Sequence, residues 1–193
     1  MMKLLSTSTR RVIAVAGAVV AGLAISSAAY AATSSGTARA AASSVPRCTA
    51  FGLGAWIAVG QGNGAAGTIY YPLEFTNLSG HTCSLYGFPG VSAVDRNGHQ
   101  LGSPANWNHA VAPHAVILAP GATAHTILAY HDAAVSTEPG CDPVYSAVLL
   151  RIYPPGEYSA TYAAFDLEAC SHAGPIYMSI NEPIIPGVGT ING

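Results

Sequence analysis

The chain has 193 residues, only 8% of them charged, with seven lysines and arginines against nine acids and a formal charge of −2. Nucleic acid and anionic membrane surfaces require clustered cations to displace their counterions, so this balance argues against both as partners. Half of the residues are hydrophobic, but 21 glycines and 13 prolines interrupt them, which disfavours a helical architecture in spite of the abundant alanine.

Residues 1–31 read as a signal peptide. Lys3, Arg10 and Arg11 form a basic start, Val12 to Ile25 an apolar run, and Ala29-Tyr30-Ala31 an A-x-A cleavage site before Ala32. The run holds about 14 residues, fewer than the roughly 20 of a permanent membrane helix. Arg10 and Arg11 also fit a twin-arginine signal, although adjacent arginines occur in ordinary signals, and the export route stays open. No cysteine follows the cleavage region to accept a lipid. The expected mature protein is secreted or associated with the cell wall, with no integral membrane domain once the signal is removed. It keeps four arginines, no lysine and nine acids, a formal charge of −5.

Residues 32–46 are small and polar and lack aromatics; they bury too little to order themselves and read as a flexible linker. Residues 47–193 have the length of one domain. Its strand signals run Leu53 to Val59, Thr68 to Thr76, Val91 to Asp95, Thr123 to Tyr130, Val144 to Tyr153 and Ile176 to Ile180. Between them lie a glycine-rich loop at 60–67, an Asn97-Gly98 pair suited to a two-residue turn, Pro120-Gly121, Pro154-Pro155-Gly156 and Pro183. About seven short strands with such punctuation predict an all-β antiparallel sandwich.

Cys48 and Cys83 are centred on the glycine-rich loop, and Cys141 and Cys170 on Pro154-Pro155-Gly156. Residues equidistant from a hairpin turn face one another, so 48 to 83 and 141 to 170 is the preferred connectivity. A pairing across sheets, such as 83 to 141, is the alternative.

Phe75-Thr76-Asn77-Leu78-Ser79, Cys83-Ser84-Leu85-Tyr86-Gly87-Phe88-Pro89-Gly90-Val91, Asp95-Arg96-Asn97-Gly98, Leu118-Ala119-Pro120-Gly121 and Ile152-Tyr153-Pro154-Pro155 resemble the actinobacterial secreted family known as domain of unknown function 4232. The run from Cys83 to Val91 is the most specific part, and the resemblance extends from Cys48 to about Ile184. It implies an immunoglobulin-like sandwich exported to the envelope or medium, often as a lipoprotein; the missing lipidation cysteine departs from that pattern. It implies no catalytic residue.

The residues themselves supply few sites for chemistry. His109 with His114, or His125 and His131 with Asp132, are imidazole and carboxylate groups of the kind that bind zinc, but their spacing fits no helix-face pair and no H-E-x-x-H is present. His81 and His172 lie near Cys83 and Cys170 without a C-x-x-C. No G-x-S-x-G supports a serine hydrolase. Asp166 with Glu168, or Glu138 with Asp142, would have to serve a glycosidase. The expectation is therefore no catalytic residue, no metal site and no cofactor.

Aromatics favour binding: Tyr70, Tyr71, Tyr86, Phe88, Trp107, Tyr130, Tyr145, Tyr153, Tyr158, Tyr162 and Tyr177 are a large amphipathic set for so few charges. Half belong in a sandwich core. Trp107 and His109 lie in a stretch, 103–116, with little strand pattern, where a loop would present Trp107 to a protein or glycan of the cell envelope. The leading expectation is a secreted, non-catalytic binding or structural module of the envelope. An extracellular hydrolase with a noncontiguous site and a histidine-dependent metal-binding protein are the alternatives.

Overall fold

A computed structural model describes residues 44–132, 141, 143–146 and 149–190. The signal peptide, most of the linker, Glu138 and Asp142 lie outside these residues. Residues 42–193 form a single unit. The described part is almost entirely strand, turn and loop, so the all-β expectation holds.

The larger sheet is built on β3 (Thr68–Asn77), whose ten residues pair antiparallel with β1 (Leu53–Ile57) on one side and β9 (Thr123–Tyr130) on the other. Pro72 lies in the middle of β3 and has no N–H to give. The β1 ladder accordingly stops at Ile57 opposite Leu73. The chain leaves in a single 3-10 turn, Val59–Gln61, and rejoins as β2 (Asn63–Ala65) opposite Tyr70. The glycine-rich run predicted as a loop is thus partly strand. Its tip is the pair Ala66-Gly67, both at positive φ (50° and 77°), as a twist-matched two-residue hairpin requires.

The smaller sheet has the order β12 (Thr161–Ala164), β11 (Leu149–Tyr153), β5 (Gly90–Val94), β6 (Gln100–Leu101). Along β11, Leu150 and Ile152 point inward and are fully buried, while Leu149, Arg151 and Tyr153 point outward. Leu73 and Phe75 of β3, Leu128 of β9, and Val91 and Ala93 of β5 join the same core. Two sheets closing on one core is a sandwich-like arrangement. Each fully buried Leu or Ile is worth about 1.5–3 kcal/mol.

The hairpin at Pro154-Pro155-Gly156 forms as expected. β11 and β12 pair about its centre, and the same register continues below as β10 (Pro143–Ser146) against β13 (Leu167–Cys170). The turn-facing pair Asn97-Gly98 behaves differently from the prediction. The Gly98 N–H donates to the Asp95 carbonyl, and only Gly98 has positive φ. The turn is therefore the four residues Asp95 to Gly98, closed by Asp95 Oδ1 accepting from the Asn97 and His99 N–H groups, each at 2.8 Å. A side chain that can satisfy the backbone locally has overridden the Asn-Gly signal.

Both preferred disulfides are present, Cys48–Cys83 and Cys141–Cys170. A hairpin underlies the second alone, and there the bonded cysteines are offset by two residues instead of facing one another. Cys141 lies two residues before Pro143, which faces Cys170. Cys48 instead follows Arg47, whose bridge to Ser84 is parallel, with Cys48 N–H donating to the Ser84 carbonyl and Ser84 N–H to the Pro46 carbonyl. Cys83 begins β4 (Cys83–Tyr86), which pairs with β8 (Ala115–Leu118).

The number of strands also exceeds the prediction: fifteen are present among the described residues. The excess consists of pieces of two or three residues, β2, β6, β7 (Asn106–Trp107) and β15 (Ile185–Pro186), and of the four-residue strands β4, β8, β12 and β13, whereas the strand expected at Ile176 to Ile180 is present as β14 (Met178–Ile180). Pieces of two or three residues carry no alternation for a sequence pattern to display.

Candidate functional site: an aromatic groove

Trp107 does not stand on a free loop. It is the second residue of β7, which runs parallel to β14 at the edge of the larger sheet, with Asn106 opposite Ser179 and Trp107 opposite Ile180. Asn108 N–H extends the pairing to the Ile180 carbonyl at 2.9 Å. Stretch 103–116 lacks a strand pattern because a two-residue parallel ladder needs none.

The indole is held on several sides. Its Nε1–H donates to the Pro89 carbonyl at 2.8 Å. Its ring stacks on Phe88 with centroids 5.9 Å apart, and His109 stands edge-on to both rings, 5.1 Å from Phe88 and 6.1 Å from Trp107. Phe88 is buried, yet Trp107 remains 47% exposed. The structure thus brings together the two residues singled out in the sequence, Trp107 and His109, around a third that anchors them.

The opposite wall comes from the hairpin. Glu157 N–H donates to the Pro154 carbonyl at 2.9 Å, Pro155 is second in the turn, and Gly156 is third with φ +75°. This is a type II turn, for which proline then glycine is the preferred pair. Tyr153 enters it and Tyr158 leaves it, 99% exposed. Between the walls lies a groove of about 560 Å³ lined by Phe88, Gly90, Trp107, Tyr153, Pro154 and the Gly156 to Tyr158 strip. On the other side of the same turn a second recess, about 250 Å³, is lined by Arg47, Ser84, Tyr86, Pro155 and Gly156. Arg47 Nη1 donates to the Gly156 carbonyl at 3.4 Å, bracing the turn from behind.

Glu157 and Arg47 were not expected at a site, and Tyr153 and Tyr158 were named only within the general set of aromatics. Two tyrosines flanking Pro-Pro-Gly were the available signal, since a type II turn must project its flanking side chains. Of the remaining aromatics, Tyr177 and Tyr130 are core, Tyr70 and Tyr71 half-buried, Tyr86 and Tyr162 exposed; the Tyr145 side chain lies outside the described residues. Burial pushes the Tyr130 hydroxyl up to about 12 and raises Tyr177 further. Each phenol donates to a carbonyl, Tyr130 to Glu168 and Tyr177 to Leu101.

The histidines are dispersed. His125 is buried and its Nδ1 meets the Gly187 carbonyl at 2.8 Å. Burial raises the pKa of nearby Glu182, opposed by His125. His131 bonds Thr68 Oγ1 through Nδ1 at 2.9 Å and approaches Ser179 through Nε2 at 3.4 Å. His81, His109, His114 and His172 are exposed. Among the described residues no three His, Cys, Asp or Glu side chains come together as a metal site. Asp166 is exposed in the break between β12 and β13, and Glu168 is half-buried on β13. Among the described residues no helix is long and apolar enough to cross a membrane.

An all-β, two-disulfide domain carrying a braced aromatic groove is the class that this fold and site define. The family profile described as Domain of unknown function (DUF4232) matches residues 48–176, and the chain belongs to that family. No curated protein and no solved structure matches it significantly.

Proposed function

We propose that this protein is a secreted, non-catalytic binding module of the cell envelope whose ligand seats in the groove between Trp107 and Tyr158. The observation that carries this reading is the braced indole: an aromatic ring nearly half exposed, yet fixed by a hydrogen bond and two ring contacts. Exposed aromatics that are already immobile lose little conformational entropy on binding, which is what makes them affinity anchors. Two disulfides suit an oxidising compartment outside the cytosol. Glu157 is the one carboxylate lining the groove among the described residues, whereas glycoside cleavage uses a pair; the lining supports binding over hydrolysis.

Co-sedimentation of the purified, oxidised protein with insoluble envelope material tests the reading. Trp107→Ala and Tyr158→Ala should each lower retention by about tenfold, the effect of truncating one anchor, with thermal unfolding unchanged for Tyr158→Ala. Retention of both variants at the level of the parent would overturn it. Mass spectrometry of the protein from culture medium and envelope should show a mature chain beginning at Ala32.

A further inference from the structure

The donors and acceptors of the groove select among ligands that aromatic walls would accept. Two common chemistries offer flat apolar faces to such walls: proline-rich peptide and pyranose sugar. They differ in what their polar edges present. A proline-rich backbone has carbonyl acceptors and almost no N–H, so it cannot satisfy an acceptor on its receptor. A sugar presents hydroxyls, which both donate and accept.

The one indole donor of the groove is spent, because Trp107 Nε1–H is committed to the Pro89 carbonyl at 2.8 Å. Arg47 stands behind the turn, in the neighbouring recess, and donates to Gly156. Glu157, whose carboxylate is an acceptor without a hydrogen bond or ion pair among the described residues, lines the groove together with Tyr153 and Tyr158, whose phenols can both donate and accept. A carboxylate at this position calls for ligand hydroxyl donors and repels ligand carboxylates. The excess of acids in the whole chain acts in the same direction.

Resting on the groove reading above, we infer that the ligand is a neutral glycan of β-linked pyranoses. Rings with equatorial substituents expose flat C–H faces to Trp107 and Tyr158 while their hydroxyls reach Glu157. A glycan bearing uronic or muramic carboxylates along its length fits this lining poorly.

Isothermal titration of the oxidised protein with cellohexaose, hexa-N-acetylchitohexaose and decaproline decides the matter. At least one of the neutral hexasaccharides should bind, and decaproline should not. Trp107→Ala should weaken the sugar about tenfold, while Trp107→Phe, which keeps a ring, should lose less. Glu157→Gln should weaken it severalfold and leave thermal stability unchanged, because that carboxylate makes no hydrogen bond or ion pair among the described residues. Failure of both hexasaccharides to bind at millimolar concentration overturns the glycan inference, as does binding that is indifferent to Trp107→Ala. Binding of decaproline alone, lost in Trp107→Ala, overturns the glycan while sustaining the groove. Envelope retention that ignores Trp107→Ala and Tyr158→Ala removes the groove itself.

Discussion

The two walls of the groove are each tied by a disulfide, but they are built by different kinds of contact. The Tyr153 to Tyr158 wall is local: the two ladders below it share one antiparallel register, Pro143 opposite Cys170 and Ile152 opposite Thr161, and Cys141–Cys170 closes its base. The Phe88 and Trp107 wall is assembled from afar, by the parallel bridge at Arg47, the β4–β8 pair and the parallel β7–β14 pair. Chain separation within each disulfide is similar, 35 against 29 residues. A hairpin keeps its ladder when its staple is cut, whereas two strands joined by a bridge of two hydrogen bonds do not.

Removing the disulfides tests this contrast most severely. Cys48→Ala with Cys83→Ala, and Cys141→Ala with Cys170→Ala, should each cost about 3.5–4 kcal/mol in urea unfolding, the chain-entropy value for loops of these lengths. The first pair should also expose the segment around Arg47 to protease, and the second should leave β11–β12 amides protected from exchange. Equal exchange profiles in the two double variants would remove the distinction between the walls.

Asn77 offers a smaller cut on the nonlocal side. It is fully buried, its Nδ2 donates to the His81 and Leu118 carbonyls, and its Oδ1 accepts from the Ser79 N–H and hydroxyl. Asn77→Ala leaves the buried Leu118 carbonyl without its donor and should cost about 2–3 kcal/mol by chemical denaturation. On the local side, Gly156→Ala places a Cβ at φ +75° and 2.8 Å from Arg47 Nη1. A left-handed alanine costs about 1–2 kcal/mol, and the variant should lose ligand through displacement of Tyr158 with little change in the core.

A pH titration sharpens the tie between the hairpin and the larger sheet. Tyr130 donates to the Glu168 carbonyl of β13, and its folded pKa, about 12, exceeds the ordinary value near 10 chiefly through burial. The stabilisation is complete below pH 10 and is lost as pH rises through 12, because only the unfolded phenol ionises readily. Tyr177 shifts in the same direction. Ionisation of the buried pair, followed by tyrosinate absorbance, should therefore coincide with loss of near-ultraviolet circular dichroism. The smallest expected effect is at the β2–β3 tip, where Ala66→Gly relieves a positive φ and should raise stability by about 0.5–1 kcal/mol in thermal unfolding.

Much of one wall was legible in the chain and little of the other. Thr123 to Tyr130 was read with both its ends correct, and Thr68 to Thr76 within one residue, because each is a long run with β-branched and aromatic residues next to a glycine turn signal. The Pro-Pro-Gly hairpin was legible for a similar reason, as proline and glycine meet the torsions of a type II turn before any tertiary contact forms. The Cys48–Cys83 pairing was read correctly from a hairpin symmetry that the chain does not use there. Trp107 was singled out, but as a loop residue, since a two-residue parallel ladder depends on a partner 73 positions away.

The all-β class, the family and the Pro-Pro-Gly turn were written in the residues alone, because glycine, proline and strand-forming side chains act through short-range sterics. Only the tertiary structure decided that Phe88, Trp107 and His109 meet one another and face Tyr153 and Tyr158 across a groove. Those contacts come from parallel pairing and from packing between distant segments, whose free energy depends on the whole core being closed and is written in no local pattern.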